Sequence, residues 1–112
     1  MGMNDAYAVD EPARADVDRL AGPVVIEFGS PWCGHCRAVQ LLLAAAFAGH
    51  PRVAHLKIAD GSGRRLGRSF KVKLWPTLVF LRDGREVARL VRPGDAGALR
   101  AALAQIDPAG GP

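Results

Sequence analysis

Only two cysteines and one tyrosine occur in the 112 residues, and no apolar run is longer than Leu41–Ala48. A run that short excludes a membrane-spanning helix, which needs about 20 apolar residues. The front of the chain has no basic start followed by an unbroken apolar stretch. Asp5, Asp10 and Glu11 interrupt it, which argues against a secretory signal and for a cytoplasmic protein. Ala6 stands where a myristoylation signal opening with Met1-Gly2 wants Ser or Thr. Repeats and low-complexity tracts are absent as well. What is present is ordinary: 49% hydrophobic and 23% charged residues, the composition of one globular domain long enough to fold without disulfide or metal staples. The two cysteines therefore need another explanation.

Charge is unevenly placed. Five acids and Arg14 occupy residues 1–18, so the net +4 of the whole chain comes from its body. The densest basic patch is Arg64, Arg65, Arg68, Lys71 and Lys73, with Phe70 as a stacking ring if the patch held phosphates. Charge runs are more often solvated faces, so neither a nucleic-acid nor a membrane partner is expected. Gly61-Ser62-Gly63 is no nucleotide fingerprint, because Leu66 stands where the last glycine is required. No bound cofactor and no metal are expected.

The periodicity predicts an alternating α/β order. Val24–Phe28, nearly all apolar and bounded by Gly22-Pro23 and Gly29-Ser30-Pro31, reads as a strand buried on both faces. A helix follows from about Gly34 to Ala48, with Val39, Leu42, Leu43, Ala46 and Phe47 on one face, stopped by Gly49 and Pro51. Val53–Ala59 reads as a strand, Arg64–Phe70 as a short helix and Thr77–Leu81 as a strand. Asp83-Gly84 marks a hairpin to Glu86–Val91. Asp95 caps a final helix bearing Leu99, Ala102, Leu103 and Ile106. Tyr7–Val9 is the one candidate for a first strand. Residues 1–12 read as a loose segment, 13–107 as the domain and 108–112 as a flexible tail.

Cys33 and Cys36 lie where the buried strand hands over to the helix. A thiol at a helix start feels free N–H groups and the positive end of the dipole, so its pKa falls. Cys33 has that place at the exposed tip, whereas Cys36 shares the apolar face with Val39 and Leu43. A structural staple closing so short a loop gains little. Zinc is the sharper rival: Cys33, Cys36, His50 and His55 have finger-like spacing, although the intervening helix holds His50 about 20 Å from Cys36 at ~1.5 Å per residue. Two inert thiols would suit Cys36 but not Cys33. If Cys36 is to react while buried, it needs a base. Glu27, a carboxylate interrupting an apolar strand, is the candidate for that proton transfer.

Trp32-Cys33-Gly34-His35-Cys36 resembles the active-site motif of the thioredoxin superfamily, and Trp75-Pro76-Thr77 resembles its cis-proline loop. The resemblance runs from about Ala21 to Ile106. It implies a thioredoxin fold, with a central mixed sheet of four to five strands flanked by helices on both faces. It also implies a thiol-disulfide oxidoreductase in which Cys33 is the nucleophile and Cys36 the resolving thiol. Trp32, Gly34, Trp75, Pro76 and Thr77 would then form the substrate surface, with Pro76 in cis. His35 would tune the Cys33 thiolate. The Cys-Gly-His-Cys form is similar to the redox domains of protein disulfide isomerases. The sequence departs from thioredoxins at Gln40, where they commonly have a helix-kinking proline, and near Arg92, where they have a glycine. The expected partners are disulfide-containing protein substrates and a thioredoxin reductase or glutathione system for recycling, with the chain itself a monomer. Two other functions compete with disulfide reduction: an oxidase or isomerase of the disulfide-isomerase type, and a thioredoxin-fold binding module.

Overall fold

The computed structural model describes residues 2–108. Four strands, β1 (Pro23–Gly29), β2 (Ala54–Ala59), β3 (Thr77–Arg82) and β4 (Arg85–Val91), form one sheet in the order β2-β1-β3-β4. β1 runs parallel to β2 and antiparallel to β3, and β4 is antiparallel to β3. Five helices accompany them among the described residues: α1 (Arg14–Asp18), α2 (Gly34–Ala38), α3 (Gln40–Phe47), α4 (Arg65–Ser69) and α5 (Ala96–Ile106). None is long and apolar enough to cross a membrane.

The alternation of β1 splits the core into two layers, because successive side chains leave opposite faces of a strand. Val25, Leu78 and Phe80 meet Leu43, Ala46 and Phe47 of α3 and Leu99, Ala102, Leu103 and Ile106 of α5. On the other face Val24, Ile26, Phe28, Val79 and Leu81 pack with Val17 of α1, with Leu66 of α4 and with Phe70 just beyond it. The thioredoxin architecture implied by the motifs is therefore present, with four strands rather than five.

Three expectations are corrected. Tyr7–Val9 forms no strand. The Ala8 N–H donates to the Lys57 C=O of β2, and further forward the Gly2 N–H donates to the Val53 C=O just before β2, both at 2.8 Å. Nor are residues 2–12 loose: the Asn4 N–H donates to His55 Nδ1 at 2.8 Å, and the Glu11 carboxylate accepts from the Leu66 N–H at the start of α4. The single helix expected over 34–48 is two helices broken at Val39. There the Gln40 side-chain amide turns back to donate to the Cys36 carbonyl at 2.7 Å. Of the tail expected at 108–112, residues 109–112 lie outside the described residues.

The hairpin is the one expected, with both turn residues at positive φ: Asp83 at 50° and Gly84 at 79°. A Cβ on Gly84 would sit 2.0 Å from the Asp18 carbonyl oxygen. The left-handed penalty of about 1–2 kcal/mol adds to an overpacking cost of about 1–3. Gly84→Ala should therefore lose about 2–5 kcal/mol, read as a lower urea midpoint at unchanged m.

Candidate active site

Cys33 occupies the N-cap of α2 with extended φ and ψ of −89° and 118°, and its Sγ accepts the Cys36 backbone N–H at 3.2 Å. Both cysteines are free thiols; Cys33 is half-buried and Cys36 only 2% exposed. Burial by itself would raise the Cys33 pKa. Hydrogen bonds from the Cys36 thiol and from the Cys36 and His35 backbone N–H groups, together with the Arg92 guanidinium, outweigh it and hold the pKa below the ordinary thiol value. The opposite holds for Cys36. Burial, the thiol hydrogen bond to Cys33 and the negative charges of Cys33 and Glu27 push it up to about 12. One thiol is poised as an anion and the other kept protonated.

That difference gives a pH signature. A lowered pKa populates the anion at lower pH, and the thiolate is the form that alkylates. Iodoacetamide near neutral pH should add one label to the folded, reduced protein, at Cys33. The second label should require unfolding or strongly alkaline solution. Peptide mass mapping reads both, and equal labelling of the two thiols would contradict the arrangement.

Beneath Cys36 lies a buried polar network. Glu27 projects from β1 on the Val25 face, fully buried. Its Oε1 faces His55 Nε2 and its Oε2 accepts from Gln40 Nε2, each at 2.9 Å. The Asn4 N–H can only donate, so His55 Nδ1 is the acceptor, the ring proton is on Nε2, and His55 donates to Glu27. Gln40 Oε1 accepts from Lys57 Nζ at 3.1 Å, and Lys57 also donates to the Asp5 carbonyl at 3.2 Å. β1 and β2 pair Glu27 with Lys57 and Val25 with His55, which is how one sheet face gathers all three groups. Glu27 itself makes no hydrogen bond to Cys36; Gln40 joins them, donating to the Glu27 carboxylate and the Cys36 carbonyl at once.

Tyr7 arrives from the N-terminal segment. A Cβ on Gly29 would lie 2.6 Å from Cys36 Sγ and 3.2 Å from the Tyr7 hydroxyl, so the bare backbone at Gly29 is what lets sulfur and phenol approach. Burial first, then the charges of Cys36, Glu27 and Cys33, raise the Tyr7 pKa. The phenol stays a hydrogen-bond donor.

Across from the cysteines, the Trp75–Pro76 bond is cis. The Trp75 carbonyl lies 3.9 Å from Cys33 Sγ and accepts from Arg92 Nε at 2.8 Å, while the Trp75 indole N–H donates to Asp60 at 2.9 Å. Trp32 is 86% exposed, and Gly34 is open to solvent. Thr77 corrects the expectation of a substrate contact: it is 1% exposed, and its hydroxyl is spent on the Leu74 carbonyl at 2.6 Å. His35 meets Cys33 through its backbone N–H, with its side chain exposed. The zinc alternative fails. His50 pairs with Asp107 at 2.9 Å, His55 is bound to Glu27, and no metal-holding cluster exists among the described residues. Phe70 offers no stacking surface, being 3% exposed with the Arg14 guanidinium 3.7 Å above its ring.

The sequence did not point to Tyr7, Gly29 or Lys57 as parts of the site, and it offered His55 only as a zinc ligand. A lone lysine and histidine on β2, alternating with apolar residues, were the available signal.

Residues 7–105 match the thioredoxin family model. Over 79 residues, 70% of this chain and 78% of the relative, the sequence is 37% identical to a thioredoxin of Chlamydia trachomatis. It is also 37% identical, over 68 residues, to thioredoxin H-type 1 of Nicotiana tabacum; that match covers 61% of this chain and 54%, about half, of the tobacco protein. Among solved structures, reduced thioredoxin 2 of Pseudomonas aeruginosa superposes with a TM-score of 0.85 at 60% identity, covering 96% of this chain and all of that one.

Proposed function

The chain belongs to the thioredoxin family of thiol-disulfide oxidoreductases, and from that premise we propose that it reduces disulfides in protein substrates. The observation that carries this is the opposed pair of thiols, Cys33 held toward its anion at the surface and Cys36 held protonated beneath it.

The Cys33 thiolate attacks one sulfur of the substrate disulfide. A Cys33–substrate S–S bond forms, the substrate bond breaks, and the departing sulfur leaves as a thiolate that takes a proton from solvent. Cys36 then gives up its proton and attacks Cys33 Sγ, forming the Cys33–Cys36 disulfide and releasing the second substrate thiolate. The two electrons move from the dithiol to the substrate, and a thioredoxin reductase or a glutathione system returns them.

Glu27 is the carboxylate whose charge bears on Cys36, and it serves as proton acceptor in the resolving step. Both its oxygens already accept one hydrogen bond, yet a carboxylate has about four lone-pair sites, so a further donor can be received. The Tyr7 hydroxyl faces the same sulfur and stabilises it as it ionises. Trp32, Gly34 and Trp75 rim the surface over which the substrate lies, with Pro76 buried beside Trp75. His35 favours the Cys33 thiolate.

Oxidase or isomerase activity is the second reading, favoured by the Cys-Gly-His-Cys motif and by Arg92, since anything that stabilises the Cys33 thiolate stabilises the reduced pair and makes the couple more oxidising. Titration of the pair in thiol buffers, followed by Trp32 fluorescence, distinguishes them. A potential below about −250 mV, with insulin reduced by the native protein and not by Cys33→Ser, supports the reductase. A potential near that of disulfide isomerase, about −180 mV, would replace it with the second reading.

A further inference from the structure

The surface flanking Trp75 is positively charged on both sides. On one side lies a cleft of about 370 Å³ lined by Arg64, Arg68, Lys71 and Lys73, with Asp60 as its one acid. Asp60 is occupied by the Trp75 indole N–H. Arg64 is occupied by the Ala59 carbonyl and by Glu11. Arg68, Lys71 and Lys73 form no ion pair with a carboxylate among the described residues. On the other side Arg92 is held to the Trp75 carbonyl, at a non-glycine φ of 49°. Trp75 carries that same carbonyl 3.9 Å from Cys33 Sγ, so unpaired cations flank the loop that faces the nucleophile.

A stacked nucleic acid fits this place poorly, because Phe70 is buried under Arg14. A polypeptide crossing Trp75 toward Cys33 fits it directly. We infer that the protein selects disulfides set in acidic segments, whose carboxylates are received by Arg68, Lys71 and Lys73 on one side of Trp75 and by Arg92 on the other. The inference rests on the reductase reading and names its substrate class. Exposed ion pairs are individually weak. Several like-signed cations together also raise the encounter rate, by roughly 10-fold or more at low salt.

The test uses three disulfide-linked peptides, identical except that the residues flanking the disulfide are Glu, Lys or neutral. At low salt kcat/KM should be about tenfold higher for the Glu peptide than for the Lys peptide. At 1 M salt, where the screening length is about 3 Å, the ratio should fall to within about twofold. In the double variant R68E/K73E the low-salt ratio should drop at least fivefold. A ratio is unaffected by the fraction of protein folded. If none of the three peptides is reduced, the reductase reading itself fails. If all three are reduced alike with no salt dependence, the reductase stands and this inference is overturned. Charge-indifferent reduction accompanied by tight binding of a single-stranded oligonucleotide would likewise overturn it, assigning the cleft to nucleic acid.

Discussion

Cys36→Ser is expected to trap the protein on its substrate, and Cys33→Ser to abolish turnover altogether. The two thiols are three residues apart, yet their environments separate them widely: Cys33 collects hydrogen bonds that favour its anion, whereas burial keeps Cys36 protonated up to about pH 12. Without Cys33 the remaining sulfur is both buried and neutral. A neutral thiol is a poor nucleophile, so the loss should be at least about 1,000-fold, of the order seen when covalent nucleophiles are removed. Without Cys36 the first attack proceeds and the second cannot, because a serine hydroxyl does not displace a thiolate from a disulfide. The mixed disulfide should accumulate to one equivalent of substrate, visible by mass and on non-reducing gels, and disappear with added dithiol. A Cys36→Ser protein that turns over normally would remove Cys36 from the mechanism.

The second large effect lies in the layer beneath. Glu27→Ala would leave the His55 Nε2–H and one Gln40 N–H without an acceptor in a region where Glu27 and His55 side chains have no solvent contact. Leaving two buried donors without an acceptor costs about 1–3 kcal/mol for each, or about 2–6 together. In a domain this small that corresponds to a fall in Tm of more than about 10 °C. Glu27→Gln keeps the volume but presents an NH2 to one of the two donors. Its loss should be nearer 1–3 kcal/mol, the range for one buried unsatisfied polar group. The two variants should also differ from Tyr7→Phe, which removes only the phenol oxygen near Cys36. All three are expected to slow resolution of the mixed disulfide, but only the Glu27 variants should unfold substantially earlier. If Glu27→Ala melts with the native protein, the network does not hold the site together.

Much of the site was legible because chemistry and local structure coincide in it. A thiol at the junction of a buried strand and a helix is reactive for reasons that involve only its neighbours, so Cys33 and Cys36 could be assigned roles from position. Glu27 was conspicuous as the one charge in an apolar strand. Its partners were not, since His55 is 28 residues away and Gln40 is 13, and only the β1–β2 register and the return of α3 bring them together. The break at Val39 was hidden by an apolar period that runs through it unchanged; it shows only where the Gln40 amide reaches the Cys36 carbonyl. Helix α1 went unseen for a different reason, since five residues with Val17 alone buried carry too little periodicity. Residues 2–12 read as loose because they lie at the chain end and carry no helix or strand period, whereas several of their polar groups make the bonds that tie them to β2 and α4.

The sequence by itself determined the alternating strands and helices, the tight Asp83-Gly84 turn and the reactive pair Cys33 and Cys36, because each depends on residues close together in the chain. Tertiary structure alone decided what surrounds those thiols. Tyr7 at the Cys36 sulfur, Gly29 making room for both, His55 and Gln40 on Glu27, and Arg92 on the Trp75 carbonyl are contacts between distant segments. Hydrogen bonds and charges act over a few ångströms in space whatever their separation in sequence, so the thiols could be read from the chain and their tuning could not.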